Sequence, residues 1–306
     1  MTALTVRLAA AVAGCMLLLA AGAKAQQLEP RAYANTPVGM NFLIAGYAYS
    51  SGGLSTDPTL PLTNADLDIH SPFVAYAHAF DAWGKSAKFD TVFASGCLDG
   101  TAELNGVPAS RDICGLLDPT FRLSVNLHGA PAMQLKDFAS YRQDLIVGAS
   151  LQVQAPLGQY DPARLVNLGT NRWAFRPEIG ISKALRPFTL EVVLSANLYT
   201  TNHDYLGGST REQDPVFATQ LHLIYEFRGG AWLAFDANYY MGGRSSVNGV
   251  PQNDELRNSR FGVTLALPWD RLNSLKLNVN KGVLVRAGDD FTTVGLAWQH
   301  RWGGGL

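Results

Sequence analysis

Between Phe121 and His128 the residues Phe121, Leu123, Val125 and Leu127 alternate with Arg122, Ser124, Asn126 and His128. Successive side chains of a strand point to opposite faces, so this two-residue beat makes one face greasy and the other hydrophilic. The beat recurs between turn-like segments and predicts twelve strands, at 40–50, 66–80, 86–96, 120–128, 144–155, 172–184, 188–199, 216–227, 231–240, 259–267, 274–285 and 292–302. Their apolar tracks, such as Leu190, Val192, Leu194, Ala196 and Leu198, are long enough to face lipid. Short connections (81–85, 185–187, 228–230, 268–273) alternate with long ones (51–65, 97–119, 156–171, 200–215, 241–258), as a closed wall with two unlike rims requires. The fold expected is all-β: a transmembrane antiparallel up-and-down β-barrel of about 12 strands, its short turns periplasmic and its long loops outward. Two connections break the rule: 129–143 is long where a short turn is due, with a brief helix expected at 135–141, and 286–291 is short where a long loop is due.

The first residues agree with an exported chain. Arg7 supplies a positive start, residues 8–19 an apolar run and Ala23-Lys24-Ala25 a small-x-small cleavage site, so residues 1–25 read as a secretory signal peptide. Val12-Ala13-Gly14-Cys15 has the form of a lipoprotein-processing box, but the apolar run continues past Cys15 to Leu19. The remainder, 26–306, reads as one barrel domain with a short periplasmic segment at 26–39. Beyond the leader no window of about 18 apolar residues remains, which excludes a helical membrane protein. A net charge of −1 with no basic patch argues against a nucleic-acid partner. The expected surroundings are outer-membrane lipid outside, in a Gram-negative bacterium, and a small-molecule solute inside; subunit number is not encoded in any recognisable pattern.

The polar tracks carry most of the ionisable groups found in strands. Solute-facing candidates are Arg122, Arg172, Arg176, Glu178, Glu191, His222, Glu226, Asp236, Arg260 and Arg301. Two roles are open to them: pairing across neighbouring strands, which braces the wall, or contact with a solute. Twelve strands about 4.8 Å apart and tilted by about 40° enclose a bore of roughly 10 to 12 Å after side chains are subtracted. Tyr47, Tyr49, Tyr76, Tyr199 and Trp232 are further candidates for the lumen. Lys281 is discordant, because it shares the apolar track of Leu275, Leu277, Val279 and Val283. A bulge near Asn280, a snorkelling side chain or a wrong frame would each resolve it.

Catalysis has little to stand on. Ser124 near His128 and Ser195 near His222 are the only nucleophile–base spacings of note, and neither lies in an embedding motif. The other histidines show no metal-ligand spacing, so neither a metal nor a cofactor is expected. Cys97 and Cys114 fall in the second long loop, where a bridge would stabilise by about 3 kcal/mol in the loop-entropy picture, the alternative being two free thiols.

Leu28-Glu29-Pro30-Arg31-Ala32-Tyr33, Pro37-Val38-Gly39-Met40-Asn41-Phe42, Ala155-Pro156-Leu157-Gly158-Gln159-Tyr160-Asp161, Asn167-Leu168-Gly169-Thr170-Asn171-Arg172-Trp173 and Pro177-Glu178-Ile179-Gly180 resemble the outer-membrane proteins of the meta-pathway of phenol degradation. The likeness covers about residues 28–302. It implies an outer-membrane barrel in a group named for aromatic catabolism and described as candidate transporters; it brings no agreed site residues. The function expected is passive passage of small molecules, aromatic or poorly polar ones among them. The alternatives are a closed structural or surface-interaction barrel and, less favoured, an outer-membrane lipid hydrolase.

Overall fold

The computed structural model describes residues 28–55, 62–104, 106–138, 140–164 and 166–306; the leader expected at 1–25 lies outside them. The elements in chain order are β1 (Met40–Ser55), β2 (Leu62–Ala82), β3 (Lys85–Leu104), β4 (Val107–Leu116), β5 (Thr120–His128), α1 (Leu135–Phe138), β6 (Leu145–Gln154), β7 (Ala174–Leu185), β8 (Phe188–Tyr199), β9 (Asn202–Tyr205), β10 (Ser209–Gln213), β11 (Val216–Glu226), β12 (Trp232–Gly242), β13 (Ser245–Val247), β14 (Val250–Pro251), β15 (Leu256–Pro268), β16 (Asn273–Leu284), β17 (Gly288–Asp289) and β18 (Thr292–Gly303).

Twelve of these strands form the closed antiparallel wall. Each pairs with the wall strand before it, and β1 pairs with both β2 and β18, which joins the two ends of the sheet. The register brings Met40 opposite Gly303 and Ser51 opposite Thr292. Closure leaves no open sheet edge for lipid to meet, which a spanning structure without water demands.

Burial is inverted relative to a soluble protein. In β8 Leu190, Leu194 and Leu198 are exposed, while Glu191, Ser195 and Asn197 are buried. The same holds in β11, where Phe217, Leu221 and Leu223 face out and Gln220 and His222 face in. Aliphatic side chains therefore form the outer surface and hydrogen-bonding groups the inner one. Phe188, Tyr225 and Phe227 pack edge-on at the short-turn rim, an aromatic cluster at a strand end of the kind that girdles membrane barrels.

Several long connections are not irregular. The 97–119 loop continues β3 and returns as β4, with Cys97 opposite Cys114, and the two cysteines are joined by a disulfide. They thus lie within a hairpin rather than a loose loop. The 200–215 and 241–258 loops together contribute a second sheet, ordered β14-β13-β10-β9. Residues 286–291, expected as a short link, include β17, which pairs with the end of β1. The helix α1 has four residues, shorter than expected.

Lys281 does lie on the outward track, opposite Phe261 and Thr292. The register passes from Arg260–Gly282 to Ser259–Leu284, so the extra residue is Val283 rather than Asn280. That bulge comes after the lysine and leaves its frame intact. The side chain projects outward near the long-loop end, where its stem can lie along lipid and its ammonium can reach water.

Candidate functional site

The segment before β1 corrects the sequence reading most. Residues 28–39, expected as a short periplasmic segment, run within the barrel as a strap against its inner wall. At the short-turn rim Val38 N–H donates to Met133 O (2.9 Å) and Gly39 N–H to Ala79 O (2.8 Å). Further in, the Tyr33 ring lies over Gly148 and Gly180, which face each other in β6 and β7. A Cβ at Gly148 would come within 2.2 Å of the ring, and one at Gly180 within 2.1 Å. Two facing glycines thus cut a slot in the wall that only an uncovered backbone could provide. Tyr33, Ala130, Ile146 and Val193 form the small apolar cluster around it.

Polar contacts hold the rest of the strap. Arg122 pairs with Asp90 of the neighbouring strand (3.0 Å) and with Glu29 of the strap. Lys88 Nζ donates to Ala32 O (2.6 Å), and Asn126 Nδ2 to Tyr33 O (3.1 Å). Glu191 accepts from Ser182 Oγ (2.8 Å) and from the Arg31 N–H (2.7 Å). The Arg31 guanidinium reaches Glu226 (3.0 Å) at the short-turn rim and lies 5.7 Å from the centre of the Trp232 ring.

The other candidates divide by position. Arg176 and Glu178 pair on their own strand (2.6 Å), not across strands, and Glu178 also accepts from Ser150 Oγ (2.7 Å). His222 Nδ1 meets Asp236 Oδ1 (2.6 Å), and Asp236 Oδ2 accepts from Thr264 Oγ1 (2.8 Å). Arg260 spans from Asn280 to Asp289 (2.5 and 2.6 Å), linking the wall to β17. Arg301 has inward parity but sits at the short-turn rim, where its Nε donates to Arg271 O (2.8 Å). Arg172, expected in the strand, precedes β7 and is buried in the outer mouth.

Of the aromatic candidates, Tyr199 and Trp232 face inward, but Tyr47, Tyr49 and Tyr76 do not. Tyr47 and Tyr49 share the outward track of Leu43, and Tyr49 donates to Asp68 (2.6 Å) on the same outer face. Tyr76 lies opposite Leu43 in register and donates to Asn41.

The serine–histidine pairs fail geometrically as catalytic dyads. Ser195 stands opposite Ala218, whereas His222 stands opposite Glu191. Both ring nitrogens of His222 are already engaged, by Asp236 and by Gln220 (3.2 Å). Ser124 and His128 are separated along β5 by a register shift between Asn126 and His128. Among the described residues no group of three or more His, Cys, Asp or Glu side chains is placed to hold a metal ion.

The outer mouth is shaped by Asp118. Its carboxylate accepts from Gln154 Nε2 (2.8 Å), Gly158 N–H (2.8 Å), and Thr170 N–H and Oγ1 (2.9 and 2.7 Å). The 155–173 loop is thereby folded back so tightly that Gly158 and Gly169 lie backbone to backbone.

The sequence profile described as "Putative MetA-pathway of phenol degradation" matches residues 49–299. The chain belongs to that family. No curated protein matches this phenol-degradation family member in sequence. Among solved structures it is similar to an outer-membrane channel from Pseudomonas putida F1, at 20% identity and a TM-score of 0.78, over 90% of this chain and 100% of that one. It is also similar to the transport unit of the autotransporter AIDA-I from Escherichia coli, at 9% identity and a TM-score of 0.53, over 90% and 94% of the two chains. At these identities the likeness is one of fold. The strap residues Glu29, Arg31 and Tyr33 were not among the site candidates of this family member. The signal for them was a charged, proline-containing stretch with no strand alternation, directly ahead of β1.

Proposed function

We propose that this chain is an outer-membrane channel for passive passage of small molecules, with the strap as its constriction, reached by export on a leader at residues 1–25. The observation that carries the reading is the nature of the lumen filling. Glu29, Arg31 and the backbone of residues 31–33 meet the wall chiefly through ion pairs and hydrogen bonds. A purely structural barrel of this size would gain more from a dry apolar core, because buried charges repay their desolvation poorly. Contacts of this polar kind can be exchanged for water at small net cost, which a conducting path requires.

The family and the fold shared with the Pseudomonas putida F1 channel support the same reading. The family's association with phenol degradation supports aromatic compounds as solutes. Outer-membrane lipid is the partner of the exposed leucine tracks, and Arg122, Arg176, Glu178, Glu191 and Asp236 line the path beside the strap.

The test is planar-bilayer recording on folded, heat-modifiable protein comprising residues 26–306 and on a variant lacking residues 28–36. Conductance steps in the parent and larger steps in the deletion are expected. Folded protein that is silent in both forms would overturn the channel reading in favour of a closed structural barrel.

A further inference from the structure

Two arginines at the outer mouth are weakly paired: among the described residues Arg172 has no carboxylate within 4.0 Å, and Arg211 has one at 3.9 Å. Arg172 is 3% exposed and Arg211, in β10, 5%. The Arg172 guanidinium lies 4.3 Å from the centre of the Tyr199 ring and donates to Gln213 Oε1, and Gln213 shares a strand face with Arg211 two residues before it. The Arg211 guanidinium lies 5.3 Å from the Tyr205 ring centre. Its nearest carboxylate oxygen, Asp254 Oδ2, is 3.9 Å away and already accepts from Ser245 Oγ (2.6 Å). On both arginines a buried N–H has no acceptor among the described residues: Nη1 of Arg172 and Nε of Arg211. Burial, then the neighbouring charge of Arg211, push the Arg172 guanidinium down from its ordinary value, although a guanidinium stays protonated at any physiological pH.

Ring stacking explains where the two planes lie, but not why each keeps an N–H without an acceptor in a place closed to bulk water. A buried donor of this sort is costly unless something accepts from it. Asp254 stands beside Arg211 alone, and among the described residues no carboxylate lies within 4.0 Å of the Arg172 guanidinium, so a single negative charge between the two would give Arg172 the contact partner it lacks. Planar forked donors match the two oxygens of a carboxylate, and the Tyr199 and Tyr205 rings, each under one of the guanidinium groups, supply apolar surface beside it.

We infer that Arg172 and Arg211 form a binding site for a small monocarboxylate with an apolar body, placed where a solute coming from outside first meets the lumen. The inference rests on the channel reading for its place in a pathway, and it deepens that reading by naming the charge and headgroup of the solute.

The probe is benzoate, titrated calorimetrically into detergent-solubilised, heat-modifiable protein comprising residues 26–306, with the uncharged benzyl alcohol and inorganic phosphate as comparisons. Saturable benzoate binding is expected, with neither comparison binding as tightly. It should weaken at least tenfold, on the order expected for losing a charge-assisted pair, in Arg172→Gln and in Arg211→Gln. No saturable benzoate binding by the folded parent would overturn the inference, as would equal binding of benzyl alcohol, tighter binding of phosphate, or unchanged affinity in both variants. Should neither variant fold, the comparison of benzoate with benzyl alcohol on the parent still decides. Because the measurement reads occupancy and not current, a silent but benzoate-binding barrel would sink the channel and spare the site.

Discussion

Tyr33 and Gly180 show how much one missing methyl group controls. The ring is 2% exposed because β6 and β7 each leave a glycine beneath it. Gly180→Ala would set a Cβ on the ring edge, and overpacking of this kind costs about 1–3 kcal/mol. The strand can hold alanine, so the strain is relieved by moving Tyr33, and with it the strap. Larger bilayer conductance with unchanged heat-modifiable migration is the expected outcome; unaltered conductance would show that Tyr33 does not secure the constriction. Parity alone placed Arg122, Arg176, Glu178, Glu191, His222 and Asp236 on the inner face, since a strand allows only two directions. Tyr47 and Tyr49 were assigned inward for their stacking surface, against the parity they share with Leu43, and parity prevailed. Arg172 was given inward parity in a strand expected from 172, but it belongs to the loop ahead of β7, where Asp118 and the glycines, not a ladder, set the backbone.

Among the elements, one short turn carries its own aspartate brace. In the turn between β15 and β16, Asp270 accepts from the Asn273 side chain (2.8 Å), from the Leu272 N–H (2.6 Å) and from the Asn273 N–H (2.7 Å). These bonds hold its carboxyl below the usual range, the Asn273 side chain contributing most. A carboxyl lowered in the folded state stabilises above its unfolded value, about 4, and that contribution is lost as pH falls through the folded value. Asp270→Asn should therefore be less stable than the parent near neutrality, with the gap closing in acid; denaturant melts across pH would show it, and a pH-independent gap would refute the charge as its source. The wall strands were legible because one face of each meets lipid and the other meets polar groups, which enforces a period of two. The mouth strands were not, because β9 (NHDY) and β10 (STREQ) contain no such alternation. The β3–β4 hairpin was read as a loop for the same reason, although its two cysteines were named.

At the scale of the whole molecule, the outer surface is the boundary condition that everything else satisfies. Leu194 lies mid-strand on the outer face, between Ile179 and Thr219 in register, and is 50% exposed. Leu194→Arg would put a cation into hydrocarbon at a cost of about 2–4 kcal/mol near the midplane. Loss of heat-modifiable folding in lipid is the expected result, and a variant as stable as the parent would place Leu194 outside the bilayer. The architecture of the wall and the inner and outer faces of its strands were thus readable from pattern, whereas the filling of the bore was not, since a strap with neither periodicity nor a partner strand leaves no mark in a hydropathy trace.

The strap passes without interruption into β1, and β1 is one half of the junction that joins the first and last strands of the wall. The stretch that lies along the inner wall is therefore continuous with the pair of strands farthest apart along the polypeptide, whose meeting has the greatest loop-closure entropy to overcome. The strap's own anchors lie on other strands, at Ala79, Lys88, Arg122, Asn126 and Glu191, so its path spreads the grip of that first-to-last junction around the inner circumference of the wall.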